Sequence, residues 1–118
     1  MGYERGDVYF VDHTQPHFGS EQNSGRPAII VSADANNQHS NTVEIVYLTT
    51  QPKKEIPTHV PVAVTGIPST ALCEQIHTVD CRRLGRFCGH CEEEEMKQID
   101  AALLASLDLR KTGGGIFS

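Results

Sequence analysis

The order of periodic segments is the feature that most constrains this fold, because several short strand-like runs come first and one helical stretch comes last. The strand-like runs are rich in β-branched and aromatic residues and are separated by turn-forming residues. They are residues 8–11, 27–31, 42–48, 58–64 and 70–79, with a weak sixth run around Phe87. The last segment carries one apolar stripe at steps of three and four, formed by Met96, Ile99, Leu103 and Leu107. This order predicts a mainly β fold, a small barrel closed by a C-terminal α-helix.

Two of the runs carry more specific information. Residues 27–31 form a continuous apolar segment, which is typical of a strand buried on both faces. Residues 58–64 alternate in polarity, and Pro61 within them predicts an edge strand, because proline cannot donate to a sheet ladder. The polar segments between the runs are predicted to be loops or turns; they are residues 13–25, 34–41 and 82–86.

The length of 118 residues predicts one domain with a single core. We expect this domain to span residues 1–110 and a flexible C-terminal tail with three consecutive glycines to follow at 111–118. No segment approaches the roughly 20 apolar residues of a membrane span. The polar N-terminus also lacks an apolar signal region. We therefore expect a cytoplasmic protein without a membrane partner.

The formal net charge of -5 argues against broad, sequence-independent coating of nucleic acid. Residues 92–118 contain 3 basic and 6 acidic side chains, so much of the excess acid lies in the C-terminal segment. A nucleic-acid site on the first three quarters of the chain is compatible with this distribution if the site is local and specific.

A glycine-bracketed polar stretch, residues 19–25, runs directly into Arg26 and Pro27 and then into the apolar segment. Loops that end on rigid strands often carry binding groups, because the scaffold fixes what the loop presents. Arginine adds a permanent charge and five forked donors, which suit a phosphate or a carboxylate. Arg26 is therefore a candidate anion-binding residue, although an arginine on a plain surface turn would have the same local sequence.

The cysteines give no complete metal or redox pattern. Cys88 and Cys91 form one CxxC pair, while Cys73 and Cys81 lie eight residues apart, and zinc sites usually combine two closely spaced couples. A redox CxxC usually opens a helix within a βαβ unit, which this chain lacks. We expect no metal and no cofactor, and we expect Cys73 to be a core thiol.

The six histidines are a second possible source of acid–base chemistry, since imidazole titrates near neutral pH. Nothing in the sequence pairs them with a carboxylate, and no Ser-His-Asp order or phosphate-binding loop is present. Four are predicted in loops and two on strands; these are His13, His17, His39 and His90, and His59 and His77, respectively.

Several short motifs follow one another along the chain. They are Arg5-Gly6-Asp7-Val8-Tyr9-Phe10-Val11-Asp12, Gly19-Ser20-Glu21-Gln22, Gly25-Arg26-Pro27, Leu48-Thr49-Thr50-Gln51, Pro57-Thr58-His59-Val60, Glu74-Gln75-Ile76-His77-Thr78-Val79-Asp80 and Arg83-Leu84. Together, over roughly residues 4–108, they resemble the MazF/PemK toxins. The resemblance implies an SH3-like β-barrel (MazF/CcdB-like) with a C-terminal helix, a homodimer, and a metal-independent, sequence-specific endoribonuclease acting on single-stranded RNA. It also implies a cognate, MazE-like antitoxin that blocks the RNA groove.

The same resemblance implies roles for individual residues. Arg26 matches the catalytic arginine and Thr49 its hydroxyl partner, with Thr50 as the competitor one position away. The positions that match RNA-binding residues are Ser20, Gln22, Glu74 and Gln75, with Glu21 in the same loop.

The implied reaction is attack of a ribose 2′-OH on the adjacent phosphorus, which leaves a 2′,3′-cyclic phosphate and a 5′-OH. DNA lacks that nucleophile. Judged from the residues alone, a histidine would be the expected general base, because arginine gives up a proton reluctantly. Arg26 is therefore assigned to charge stabilisation and possible proton transfer, and the identity of the base stays open.

Two other functions stay open on sequence alone. A toxin of the same barrel type could poison DNA gyrase, as CcdB-type proteins do, but the arginine–proline junction together with Thr49 favours a phosphate-directed nuclease. A non-catalytic SH3-like binding module would usually show a cluster of groove aromatics, whereas the seven aromatic residues of this chain are scattered.

Overall fold

Six strands of the described chain form one antiparallel sheet, and the longer of two helices follows them. The computed structural model describes residues 2–12 and 25–109. Its elements are β1 (Asp7–Val11), β2 (Arg26–Ile30), α1 (Asp34–His39), β3 (Thr42–Thr49), β4 (His59–Val62), β5 (Ser69–Asp80), a 3-10 turn at Cys81–Arg83, β6 (Leu84–His90) and α2 (Glu93–Leu107). The strand order is β4-β5-β3-β2-β1-β6. The predicted mainly β fold with a C-terminal helix is confirmed.

Some expectations have no structural counterpart. Loop residues 13–24 and the predicted tail at 111–118 lie outside the described residues. The extent of the single domain, residues 1–110, stays a prediction. Neither helix in the described ranges is long and apolar enough to cross a membrane.

Strand β2 is buried on both faces of the sheet. Ala28, Ile29 and Ile30 are each 0% exposed. Successive side chains of a strand point to opposite faces, and accordingly Ile29 belongs to one core cluster with Ile99 of α2, whereas Ala28 and Ile30 belong to a second cluster with Ile45 of β3. The apolar run predicted to be a doubly buried strand is confirmed.

Helix α2 covers the first of these clusters. Ile99 and Ala102 are buried, and Met96 and Leu103 pack against the same cluster. Leu107 is 54% exposed, so the predicted apolar stripe is wrong at this position. Leu107 is the last residue of α2 and lies on its exposed end, while the smaller Ala102 occupies the buried face.

The segment predicted to be a loop at 34–41 contains α1 instead. Its residues are turn formers without apolar periodicity, which is why the sequence favours a loop. In the fold Asn37 is buried and donates to the Ser32 carbonyl oxygen at 3.0 Å, and the Ser32 hydroxyl donates to Asn37 Oδ1 at 2.5 Å. The backbone N–H of Glu44 donates to that hydroxyl at 3.0 Å. A buried polar network, rather than an apolar face, holds this short helix.

Strand β6 is longer than the sequence predicts. The basic turn expected at 82–86 is confined to Cys81–Arg83, and Leu84–His90 all lie in β6. Among the six described strands this one pairs only with β1, at the sheet edge. Its backbone hydrogen bonds therefore sustain a strand whose side chains stay largely exposed, so it lacks an apolar signal. At the opposite edge, β4 contains the exposed Pro61, which confirms the edge-strand prediction.

The two edges of the sheet approach each other through a glycine. Gly89 of β6 has a φ of +147°, and a Cβ atom there would lie 3.0 Å from the Val64 carbonyl oxygen and 3.1 Å from Val64 Cγ2. Val64 lies two residues beyond β4. Packing at this point, rather than a hydrogen-bonded ladder, brings the edges together as a barrel requires.

Gly89→Ala tests this closure against a matched glycine. The new methyl group would be in tight contact with Val64 and would also sit at a positive φ, so we expect a loss of about 2–4 kcal/mol in the free energy of unfolding. Gly66 has a φ of +89° but open space around its Cβ position. Gly66→Ala should therefore cost only the backbone strain, about 1–2 kcal/mol. Equal losses in urea denaturation of the two variants would contradict the proposed contact.

Candidate functional site

Arg26 and Thr49 lie at neighbouring strand ends. Arg26 begins β2 and Thr49 ends β3. These strands pair antiparallel with Ala28 opposite Tyr47, and the same offset continued by two residues sets Arg26 across from Thr49. Directly opposed residues have Cβ atoms about 4.5–5.5 Å apart. The two residues predicted to be catalytic are thus brought together, although 22 residues separate them in the chain.

A side chain at position 25 would clash with β1, which explains why a glycine precedes Arg26. Arg26 pairs with Val11 of β1. A Cβ atom on Gly25 would overlap the Val11 carbonyl oxygen and the Phe10 ring. Gly25 therefore allows β2 to start in close contact with β1, which fixes where the Arg26 side chain leaves the sheet.

A groove of about 670 Å³ opens beside this pair. Its lining, as far as residues 2–12 and 25–109 form it, includes two arginines, several hydroxyl and amide groups, and no carboxylate. The lining residues are Phe10, Arg26, Pro27, Leu48, Thr49, Thr50, Gln51, Thr65, Ile67, Ser69, Arg86, Phe87 and Cys88. Ile67 and Phe87 are each more than half exposed. Such a surface offers positive charge, hydrogen-bonding groups and one aromatic face to a ligand.

The Arg26 guanidinium stacks on an aromatic ring. Its Cζ lies 4.5 Å from the centroid of the Tyr47 ring. The edge-to-face contact of Tyr47 with His77 has a centroid distance of 5.1 Å. Within the described residues no carboxylate forms an ion pair with Arg26, so its charge is available to a ligand. Arg26, Tyr47 and His77 also line a second cavity of about 450 Å³, with Arg83 at its wall.

The Thr49 hydroxyl is oriented by the backbone that follows it. Thr49 Oγ1 accepts a hydrogen bond from the Gln51 N–H at 3.1 Å. Because that bond uses an oxygen lone pair, the hydroxyl proton remains available for donation into the groove. Thr50 also lines the groove but is more exposed.

Glu74 and Gln75 lie apart from the groove, in a bend of β5. Here one residue of β3, Tyr47, lies opposite residues 72–75 of β5, because the ladder resumes only at Val46–Ile76. Both side chains are consequently exposed. Glu74 contacts His59, and Gln75 makes no side-chain hydrogen bond within the described part of the chain. The other RNA-binding candidates, Ser20, Glu21 and Gln22, lie outside the described residues.

Two histidines have carboxylate partners that the sequence does not reveal. His59 Nε2 lies 3.1 Å from Glu74 Oε2, and His90 Nδ1 lies 2.7 Å from Asp7 Oδ1. His90 ends β6, so its predicted loop position is wrong. Each partner lies on another strand, 15 residues away for His59 and 83 residues away for His90, which explains why local sequence does not show the pairs.

The His59 contact shifts both pKa values. The hydrogen bond to the Lys54 carbonyl, followed by the hydrogen bond and charge of Glu74, raises the pKa of His59 against the opposing effect of burial. Burial acts most strongly on Glu74 and would raise its pKa, but hydrogen bonds from His59, the Glu74 backbone and Thr58 together lower it. The pair thus favours a protonated imidazole beside an ionised carboxylate.

The cysteines are free and two are deeply buried. Burial raises the pKa of Cys73 and of Cys91 to about 12, so both are neutral thiols near pH 7. Metal binding and nucleophilic attack require the thiolate. Cys73 is 0% exposed, which confirms its prediction as a core thiol.

One group of side chains has the spacing of a metal site, with Glu4, Asp7 and His90 offering ligand atoms within 4.8 Å of one another. Both Asp7 oxygens are already engaged, because Oδ1 contacts His90 Nδ1 and Oδ2 accepts from the Glu4 N–H. The cluster therefore serves as a hydrogen-bonded link between β1 and β6.

Three site residues were missed by sequence reasoning. Tyr47 shares the face of Thr49 by strand alternation, a signal that was available in residues 42–49. Arg86 and Phe87 face the groove because they lie on β6, which carries no clear strand signal.

Known proteins resemble the chain over nearly its whole length. A family model described as PemK-like, MazF-like toxin of type II toxin-antitoxin system matches residues 4–107. Endoribonuclease EndoA of Bacillus subtilis strain 168 is 39% identical over 114 residues, which cover 92% of this chain and 97% of that protein.

Solved structures agree with this match. An endoribonuclease from a mycobacterial species, in complex with its cognate antitoxin, has a TM-score of 0.78 and 29% identity, and covers 94% of this chain and 100% of its own. A second mycobacterial endoribonuclease has a TM-score of 0.79 and 28% identity, with coverage of 95% and 97%. The chain belongs to the family of PemK-like, MazF-like toxins of type II toxin–antitoxin systems.

Proposed function

We propose that this chain is a toxin that cleaves single-stranded RNA at specific sequences, with the Arg26–Thr49 pair at the reacting phosphate. The observation that carries the proposal is an arginine without a carboxylate partner in the described chain, set across from an available hydroxyl at an open groove. The B. subtilis relative that bears the name endoribonuclease supports the same activity. A non-catalytic module would have no need for this phosphate-directed pair.

The reaction follows from the charge that the pair can stabilise. A ribose 2′-oxygen loses its proton to a base and forms a bond to phosphorus as the bond to the 5′-oxygen breaks; the leaving 5′-oxygen takes up a proton, so the products are a 2′,3′-cyclic phosphate and a 5′-OH. Negative charge gathers on the phosphoryl oxygens, and preorganised donors aimed at them lower the barrier. Arg26 supplies a charged fork of donors, and Thr49 supplies a hydroxyl donor.

The partners follow from the same surface. A groove with Arg26 and Arg86, whose described lining contains no acidic residue, attracts an acidic segment of an antitoxin as well as RNA. One mycobacterial relative is recorded in complex with its cognate antitoxin, which supports a MazE-like partner. The proposal includes a homodimer and a cytoplasmic location, where messenger RNA is accessible.

Arg26→Ala should lower the single-turnover cleavage rate of mixed-sequence single-stranded RNA by about 10²–10³-fold, since one transition-state donor is lost. Arg26→Lys keeps the positive charge but loses the paired N–H donors of the guanidinium, so it should retain part of the activity. The assay is run in excess chelator, and its products are tested for cyclic-phosphate ends. Intact RNA with the wild-type protein, or undiminished cleavage by Arg26→Ala, would refute the proposal.

Thr49→Val should reduce the same rate by about 10–100-fold, because a hydrogen bond to a charged group contributes about 1.5–3 kcal/mol. Thr49→Ser keeps the hydroxyl and is expected to stay close to wild type. Thr50→Val serves as the neighbouring control and should change the rate little. A larger effect at Thr50 than at Thr49 would reassign the hydroxyl partner.

Tyr47→Leu removes the ring under the Arg26 guanidinium and should lower the rate by about two- to fivefold, as expected from a cation–π contact of about 0.5–1 kcal/mol. Tyr47→Phe preserves the ring and should behave as wild type. Rates are compared by single-turnover kinetics in the Arg26 and Arg26→Ala backgrounds. If the ring acts through Arg26, Tyr47→Leu has no further effect once Arg26 is removed.

A further inference from the structure

His59 has an oxygen atom within hydrogen-bonding distance of each ring nitrogen. Nδ1 lies 2.8 Å from the Lys54 carbonyl oxygen, and Nε2 lies 3.1 Å from Glu74 Oε2. The side chain of His59 is 11% exposed, and that of Glu74 is 36% exposed. His59 therefore links the connection between β3 and β4 to the bend of β5.

The chemistry of the two partners fixes the protonation state of the ring. A carbonyl oxygen can only accept, so Nδ1 must carry a proton. In a neutral imidazole Nε2 would then be an acceptor, facing a carboxylate oxygen that is also an acceptor. The 3.1 Å contact is attractive only if a further proton lies between Nε2 and Oε2. With Glu74 ionised, that proton makes His59 a doubly donating imidazolium.

The other charged groups near His59 do not prevent its ring from being protonated. On β5, Glu74 is the charged group that faces the ring, and the neighbouring Cys73 is a neutral thiol. On the connection, Lys53 opposes the protonated ring, but its effect is the smallest of those acting on His59. The hydrogen bonds therefore outweigh the repulsion.

The pair touches both parts of the proposed RNA surface. On one side it orients Glu74, which matches an RNA-binding position of the family. On the other side it holds the connection that starts at Thr50 and Gln51 in the groove. A cavity of about 530 Å³ with Lys53, Lys54 and His59 in its wall lies under the same connection.

We propose that His59, as an imidazolium, is a positioning residue for RNA recognition, which holds Glu74 and the connection 50–58 in the conformation that receives the RNA. This inference rests on the proposed function. Glu74 Oε2 accepts from His59, and a carboxylate with its several lone pairs can still accept a donor on a base edge. Loss of the His59 proton turns the contact into two facing acceptors and releases both Glu74 and the connection.

The direction in which RNA affinity depends on pH follows from the pKa shifts of His59 and Glu74. The pKa of His59 is raised above the ordinary 6.5, so the pair is fully formed below that value and is lost as pH rises through the raised pKa. The pKa of Glu74 is lowered below the ordinary 4.5, so the pair is lost again only in more acidic solution. RNA affinity should therefore decrease on the alkaline side of neutrality.

Two measurements test the inference independently. The first is an NMR titration of the His59 ring, which needs no RNA. In the wild-type protein His59 should titrate above pH 6.5 with both ring nitrogens protonated below that pH, and Glu74→Gln should lower the midpoint. A midpoint that Glu74→Gln leaves unchanged would overturn the inference.

The second measurement is the Kd for an RNA whose 2′-hydroxyl at the cleavage site is removed, so that binding is separated from chemistry. Between pH 6 and pH 8.5 the wild-type Kd should rise by about three- to tenfold, the effect of releasing up to one proton. His59→Gln can still donate to Glu74 but does not titrate, so its Kd should be nearly constant over this range. His59→Leu should bind weakly at every pH.

His39→Gln is the matched control, since His39 is an exposed residue of α1 and should leave the pH profile of the wild type unchanged. A flat wild-type profile together with active RNA cleavage would overturn the role of His59 and leave the proposed function intact. Absence of RNA binding at every pH would refute the proposed function and this inference with it, whereas the NMR titration would still report the state of the His59–Glu74 contact.

Discussion

The burial of β2 on both faces is the constraint on which the rest of the structure depends. Ala28, Ile29 and Ile30 are excluded from water between two apolar clusters, while β1 and β3 pair with the strand on either side. A shift of one residue would exchange the faces of every side chain, which the core on each side forbids. Arg26 precedes this buried triplet by two residues, so its position is as well determined as the core itself.

This arrangement lets an acidic protein present a local positive surface. The net charge is -5, yet Arg26 and Arg86 line a groove whose described wall has no carboxylate. Charges that are separated by more than a Debye length, about 8 Å in physiological salt, are largely screened when exposed. The field that a phosphate meets at the groove is therefore set mainly by the side chains nearest to it, rather than by the net charge of the whole chain. Stacking on Tyr47 holds the guanidinium without neutralising it.

Tertiary structure also changes the meaning of the histidines. In the sequence they are isolated, and an acid–base role has no more support than a structural one. In the fold His59 of β4 reaches Glu74 on the neighbouring strand β5, and His90 of β6 reaches Asp7 of β1 from the other end of the chain. A single carbonyl hydrogen bond to Lys54 then determines which nitrogen of His59 is protonated, and the carboxylate determines the other.

The sequence predicted the strands that bury apolar side chains, because alternation and continuous apolar runs report directly which faces leave water. It failed where structure is held by polar contacts or by an edge: α1 rests on the Ser32–Asn37 network, and β6 rests on backbone pairing with β1. These contacts join residues whose local sequence carries no periodic signal. The sequence therefore predicted the elements that are held by burial of apolar side chains, and it did not predict those that are held mainly by hydrogen bonds.

The site divides in the same way. The sequence by itself determined which residue types are available, and the family resemblance singled out Arg26, Thr49, Glu74 and Gln75. Only the tertiary structure decided that Arg26 and Thr49 are cross-strand neighbours, while Glu74 and Gln75 lie in a separate bend of β5. The physical reason is register: the β2–β3 pairs from Ala28–Tyr47 to Ile30–Ile45 share one offset, which sets Arg26 across from Thr49 when it is extended by two residues, whereas β5 bulges by several residues opposite Tyr47. No local pattern in one strand reports how its neighbour is aligned with it.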